Sequence, residues 1–161
     1  MKNLLNRIWK IVMALLVVLC IVLIVLKLFG VSVILVKGDS MMPTMQDGQL
    51  FLATRVDPAK IERGDIVTAR LETGDGITLI TKRVIGLPGE EICIGFSTIW
   101  ANGDWVQEPY LEWPGWNDFG EYDASFTLGP DEFYLMGDNR RGGTWCGVIT
   151  SEQIIGRVIG K

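Results

Sequence analysis

Hydrophobic positions are distributed along this chain in two unlike ways. Between Lys10 and Lys27, sixteen consecutive residues, IVMALLVVLCIVLIVL, carry no charge and no proline. A membrane-spanning helix needs about 20 mostly apolar residues. Leu28, Phe29 and Gly30 supply the remainder if the Lys27 amine snorkels to the interface. Past residue 30 the texture changes to short apolar runs separated by Gly, Pro, Asp and Asn. The runs VSVILV, QLFLATRV, DIVTARL, ITLITKRVIGL, EICIGF, WVQEPY, EFYLMG and IIGRVIG predict strands. Outside the first segment no apolar pattern holds a helical period for three turns, and no repeat is visible. Residues 111–131, LEWPGWNDFGEYDASFTLGPD, are acidic, aromatic and rich in turn formers, and they read as an excursion from a sheet core. The expected architecture is mainly β: a single N-terminal transmembrane helix, then a compact antiparallel β-barrel-like domain with a small inserted β/loop segment at about 92–130.

With 161 residues there is room for one anchor and one domain of ordinary size. A secretory signal peptide is the rival reading of the first segment, but its apolar core usually spans about 7–15 residues and ends at a small-x-small site. Here the segment runs on into VSVILV, and an uncleaved anchor is expected. Lys2, Arg7 and Lys10 precede it and no acidic residue occurs before Asp39. The positive-inside rule then places residues 1–10 in the cytoplasm, 11–30 in the membrane and 31–161 on the extracytoplasmic face. Four of the fifteen basic residues and none of the nineteen acidic ones fall in the first thirty positions, so the outer domain carries a net charge of −8. That charge argues against a nucleic-acid partner. Cys20 lies in the anchor; Cys93 and Cys146 face an oxidising exterior, where they pair or stand as two small core residues. No spacing suggests a zinc site, and no metal or other cofactor is expected.

The chain contains no histidine, so the usual general base is missing. A serine nucleophile then needs another base, and a lysine serves if burial in apolar surroundings strips its ammonium of hydration. Lys82 meets that requirement, because ITLITKRVIGLPG embeds it in a strand-like apolar run ending at a Leu-Pro-Gly turn. Other basic residues outside the anchor mostly lie in polar loops, Lys60 in PAKIERG being typical. Strand alternation sends Lys82 and Arg83 to opposite faces, so that one addresses a site while the other forms an ion pair. Taken alone, a strand lysine more often keeps its amine in water.

At this point the residues match a family. Ser40-Met41-Met42-Pro43-Thr44, Gly64-Asp65-Ile66-Val67, Lys82-Arg83-Val84-Ile85-Gly86-Leu87-Pro88-Gly89 and Gly137-Asp138-Asn139-Arg140 resemble type I signal peptidases, in the family's order. Asn102-Gly103 followed by Glu108-Pro109-Tyr110 resembles a further family segment. The likeness covers nearly the whole chain, anchor included. It implies a membrane-bound serine endopeptidase that removes signal peptides from exported precursors. Ser40 is then the nucleophile and Lys82 the general base, with the oxyanion held by the Ser40 N–H. Some members carry a serine at residue 38 whose hydroxyl serves as a second oxyanion donor; this chain, like other members, has Gly38 there and lacks that hydroxyl. Met41 is assigned to an apolar pocket wall, although methionine also fills cores. Pro43 fixes the chain after the nucleophile, and Thr44 is structural. Asp138 and Arg140 shape the site, with Asp138 paired to Arg83, while the Asp and Asn of GDNR also suit a type I turn. Asp65 reads as structural.

The chain departs from the family after GDNR. Members usually continue with Ser-x-Asp-Ser-Arg, whose first serine orients the lysine. Here the segment is Arg141-Gly142-Gly143-Thr144-Trp145-Cys146-Gly147, and Thr144 is the expected substitute. The substrate is expected to bind as an added strand beside Ile34–Val36 and Leu79–Thr81, so that Ile34, Val36, Leu79, Ile80 and Thr81 line its path. Trp113 and Trp116 either dip into the lipid interface or pack within the insertion. The expected partners are signal-peptide-bearing precursors and the lipid membrane, with the enzyme acting as a monomer. Two alternatives stay open: a serine–lysine protease dedicated to pilin or conjugation components, and a catalytically inactive anchored binding relative.

Overall fold

The computed structural model describes residues 2–28, 30–74, 76–95, 98–111, 124–140 and 146–160. It divides into two compact units, Met1–Ser32 and Val33–Lys161. The first is dominated by one helix, α1 (Lys2–Leu28, 27 residues). Nothing between Lys2 and Lys10 breaks a helix, so α1 reaches further toward the amino end than the apolar run alone suggests. Asn3–Leu28 is long and apolar enough to cross a membrane, with none of it buried. Its length and composition are those of a membrane anchor.

Past α1 the described residues form β1 (Val31–Leu35), β2 (Leu50–Thr54), β3 (Ile66–Thr73), β4 (Gly76–Gly86), β5 (Glu91–Gly95), β6 (Thr98–Ala101), β7 (Asp104–Trp105), β8 (Ala124–Thr127), β9 (Glu132–Met136), β10 (Cys146–Thr150) and β11 (Ile154–Val158), with β2 to β11 pairing antiparallel. They form a seven-stranded sheet in the order β1-β2-β11-β3-β4-β9-β10 and a four-stranded sheet in the order β7-β6-β5-β8. The fold is mainly β.

Strand β4 is the longest and organises the rest. Its pairing with β3 runs from Ile66↔Arg83 to Thr73↔Gly76 and sets Lys82 opposite Val67. Strand β9 joins only its far end, at Arg83↔Met136, Val84↔Leu135 and, after a register shift, Gly86↔Tyr134. Among the described residues no strand pairs that edge of β4 between Gly76 and Lys82. Three apolar clusters hold the unit together. Ile85, Tyr134 and Met136 pack against Ile92, Ile94, Ile99, Ala101 and Leu128, joining the two sheets. Val67, Ala69, Val84, Phe133, Leu135 and Ile149 fill a second cluster. Val36, Met41, Met45, Ile66 and Val158 form the third.

Several local expectations need correction. Residues 105–110 do not form a strand: β7 stops at Trp105, and Leu111 N–H closes a turn on Glu108 O at 3.1 Å. Pro109 has no N–H to give a ladder, which favours the turn. Residues 98–101 and 124–127 are strands that the pattern did not single out, the second within the stretch read as an excursion. Pairing decides both, since Ile92 sits opposite Ala101 on one side and Phe126 on the other. The β6–β7 link is a two-residue turn in which Asn102 (φ 51°) and Gly103 (φ 85°) both adopt positive φ. Asn-Gly tolerates that geometry and thereby matches the strand twist. Cys93 is a free thiol, its Sγ 3.3 Å from Ser125 Oγ.

Candidate active site

Ser40 stands on a turn after β1 whose shape is fixed from both sides. Val36 N–H donates to Gln49 O and Gly48 N–H to Val36 O, each at 2.9 Å, so residues 36 and 48–49 clamp the base of the loop. Within it, Gly38 N–H donates to Asp47 Oδ1 at 2.7 Å, and Met42 N–H to Asp39 O at 3.0 Å. Gly38 has φ +86°, a conformation that strains any residue with a Cβ. Met41 and Met45 point into the apolar cluster beneath the turn and are fully buried. The Met42–Pro43 peptide bond is cis. The turn is therefore anchored by side chains below it and leaves Ser40 half-buried at the surface. Among the described residues, nothing accepts a hydrogen bond from the Ser40 N–H.

Ser40 and Lys82 line one cleft of about 420 Å³. Ile34, Val36 and Met41 border it on the Ser40 side, and Leu79, Ile80 and Thr81 on the Lys82 side. Val33, Leu35, Lys37 and Thr68 complete the lining, none of which the sequence singled out. Thr68 lies beside Thr81, the hydroxyls 3.3 Å apart across β3 and β4. Lys82 is 4% exposed, although most lysines hold their amine in water. Its strand position explains this, because the residues around it on β3 and β4 are covered by the sheet packing. No group of three or more His, Cys, Asp or Glu side chains among the described residues is placed to hold a metal.

Arg83, the next residue, is held elsewhere. Its guanidinium makes a two-pronged ion pair with Asp138, Nε to Oδ1 at 2.9 Å and Nη2 to Oδ2 at 2.6 Å. Its remaining donors reach Gly64 O at 2.7 Å and Thr44 Oγ1 at 3.3 Å. The Tyr110 ring lies over the guanidinium, with Cζ 3.7 Å from the ring centroid. Tyr110 donates its hydroxyl to Glu108 Oε1 at 2.6 Å, and the same oxygen accepts from Arg140 Nη2. Arg140 also donates from Nε to Gly137 O at 2.7 Å. Burial, reinforced by the Glu108 carboxylate, pushes the Tyr110 hydroxyl far above the ordinary phenol range, so it stays a donor at every physiological pH. Asn139 connects this network to the Ser40 turn: its N–H donates to Ser40 O at 3.0 Å and its side-chain amide to Asp39 O at 3.2 Å. Asp65 instead accepts from Glu62 N–H and from Arg157.

Of the residues named from sequence, Ser40, Met41, Lys82, Ile34, Val36, Leu79, Ile80 and Thr81 share the cleft, while Arg83, Asp138 and Arg140 share the buried network behind it. Gly38 lies in the Ser40 turn with its N–H already engaged by Asp47. Thr144, Trp113 and Trp116 lie outside the described residues. Asn139 was visible only as part of GDNR, and Glu108 and Tyr110 only as part of Glu-Pro-Tyr. Their roles depend on distant partners: Asn139 on Ser40, Glu108 on Arg140 and Tyr110 on Arg83.

Residues 8–160 match the family described as "Signal peptidase, peptidase S26". Signal peptidase I of Bacillus caldolyticus is 33% identical over 150 residues, covering 83% of this chain and 80% of that relative. Signal peptidase I T of Bacillus subtilis is 36% identical over 137 residues, covering 76% and 68%. A solved signal peptidase I from Enterococcus faecalis matches with a TM-score of 0.49 at 24% identity, over 61% of this chain and 96% of that one. The chain belongs to the signal peptidase family, peptidase S26, and is a serine peptidase.

Proposed function

We propose that this protein removes amino-terminal signal peptides from exported precursors, with Ser40 as nucleophile and Lys82 as general base. The observation that carries this reading is the shared cleft: Ser40 and the buried Lys82 line the same space of about 420 Å³. Burial disfavours the ammonium, and the neutral amine is the form that accepts a proton. Lys82 takes the proton from Ser40 Oγ, which bonds to the carbonyl carbon of the scissile peptide. The Ser40 N–H stabilises the oxyanion. The Lys82 ammonium then protonates the leaving nitrogen, the C–N bond breaks, and an ester on Ser40 remains. Water, deprotonated by Lys82, attacks that ester and restores the serine. Thr144 is the hydroxyl we assign to orienting the amine.

The substrate lies as an extended segment between Ile34–Val36 and the unpaired edge of β4 at Leu79–Thr81, where main-chain hydrogen bonds hold it. Val33, Leu35, Ile77 and Leu79, on the two strands flanking the cleft, are exposed apolar side chains, a rim suited to work at a lipid surface. Helix α1 spans the membrane with residues 1–10 in the cytoplasm, and residues 31–161 work as a monomer on the extracytoplasmic face, where precursors present their cleavage sites.

The test is incubation of the detergent-solubilised protein with a secretory precursor, the cut being located by mass spectrometry. Wild type cuts after a small residue. Ser40→Ala and Lys82→Ala each lose about 10⁴-fold or more in turnover, and Thr144→Val loses less. Cleavage that persists in either dyad variant defeats the assignment. Cutting confined to specialised precursors narrows the function to a dedicated protease.

A further inference from the structure

Glu108 and Tyr110 come after β7, outside the seven-stranded sheet that carries Lys82, yet they complete a circuit of side chains that includes Arg83, the neighbour of Lys82 on β4, and adjoins the Ser40 turn through Asn139. Arg83 is joined to Asp138 through two hydrogen bonds, and Asp138 along the chain to Arg140. Arg140 reaches Glu108, Glu108 takes the Tyr110 hydroxyl, and the Tyr110 ring returns to the face of Arg83. The four charged side chains are at most 8% exposed, and their signs alternate around the circuit. Charges so deeply buried are tolerated only when each has its partner.

The circuit grips the two reacting groups from opposite ends. Asn139 lies between Asp138 and Arg140, and its two donors hold the carbonyls of Asp39 and Ser40. Arg83 adjoins Lys82 on β4, and its guanidinium also donates to the Gly64 carbonyl and the Thr44 hydroxyl. We propose that Glu108 and Tyr110 are positioning residues that set the relation of Ser40 to Lys82. This inference rests on the Ser40–Lys82 reading. The cation–ring contact limits where Arg83 stands, and the shared carboxylate oxygen limits where the 138–140 turn stands. Releasing either lets the serine turn and the lysine strand shift relative to each other, and proton transfer between them is sensitive to such displacements.

The experiment compares Glu108→Gln, Tyr110→Phe and Tyr110→Leu in the full-length protein, measuring kcat and KM on one precursor below the melting temperature of every variant. Glu108→Gln keeps the shape and removes the charge; Tyr110→Phe keeps the ring over Arg83 and removes the hydroxyl. Glu108→Gln and Tyr110→Leu are expected to lower kcat by about 10- to 100-fold with KM changed less than about twofold, and Tyr110→Phe to recover most of the Tyr110→Leu loss. Wild-type kcat in the folded variants overturns the proposal, as does a loss confined to KM. Ser40→Ala in the same assay separates the two ideas. If it is inactive while the Glu108 and Tyr110 variants are not, only the positioning role fails; if it still cleaves, the dyad itself is wrong.

Discussion

The two sheets of the β unit bury different chemistry. In the four-stranded sheet the covered side chains are apolar, Ile92, Ile94, Ile99 and Ala101 among them. In the seven-stranded sheet and the turn after β9, Thr68, Lys82, Arg83, Asp138 and Arg140 are buried alongside the hydrophobic residues. An apolar core gains free energy from every methylene removed from water. A core holding charges gains little from them and depends on each charge keeping its partner. The contrast assigns work: one sheet supplies mass and, through the residues after β7, the clasp on Arg83 and Arg140, while the other maintains a dry, polar arrangement beside the cleft.

That contrast can be broken at several points. Beyond the loss of cleavage from the dyad variants, the largest effect is expected at Asp138. Replacing it with alanine leaves Arg83 charged and buried, costing about 3–5 kcal/mol, to be read by urea denaturation. Replacing the pair together, Arg83→Met with Asp138→Leu, is expected to restore most of that stability but not turnover. Ile99→Ala, in the apolar sheet, is expected to cost about 3 kcal/mol, while kcat/KM per folded molecule stays at the wild-type value. A turnover defect in folded Ile99→Ala would erase the division of labour between the sheets. Gly38→Ala sharpens the comparison within the site. A Cβ there meets nothing within 4 Å, so its cost is backbone strain at φ +86°, about 1–2 kcal/mol. Gly38→Ser is expected to behave alike in denaturation, since the strain does not depend on the side chain's polarity.

The smallest effect concerns Tyr110, whose hydroxyl titrates higher in the folded protein than the ordinary phenol value of 10.0. Above pH 10 the unfolded chain releases this proton while the folded one keeps it, so folding stability declines as pH rises. The contribution is complete below pH 10 and is lost at about 1 kcal/mol per pH unit above it. Tyr110→Phe should flatten that alkaline slope in denaturation curves at pH 9–11, and an unchanged slope would place the hydroxyl in water.

Much of the site was legible in the order of residues. With no histidine in the chain, a lysine is the candidate base, and Lys82 lies inside an apolar run bounded by a turn while most other basic residues outside the anchor lie in polar loops. The buried runs DIVTARL and ITLITKRVIGL became β3 and β4, because alternation and β-branched residues report sheet packing directly. The WVQEPY run misled, since its apolar members Val106 and Tyr110 are covered by tertiary packing and not by a strand's alternation. The strand at Ala124–Thr127 was hidden for the complementary reason: its polar composition carries no signal until β5 pairs with it.

Sequence alone determined the apolar anchor segment, the β character of the chain past residue 30 and the residue types able to do chemistry, because each is written in short-range order: runs, alternation and turn formers. Only the tertiary structure decided that Ser40 and Lys82 border one cleft, that the Tyr110 ring covers Arg83, and that Asn139 holds the Ser40 turn. Those contacts join positions tens of residues apart. Their partners are chosen by strand pairing and by the need to neutralise charge out of water, which no local pattern encodes.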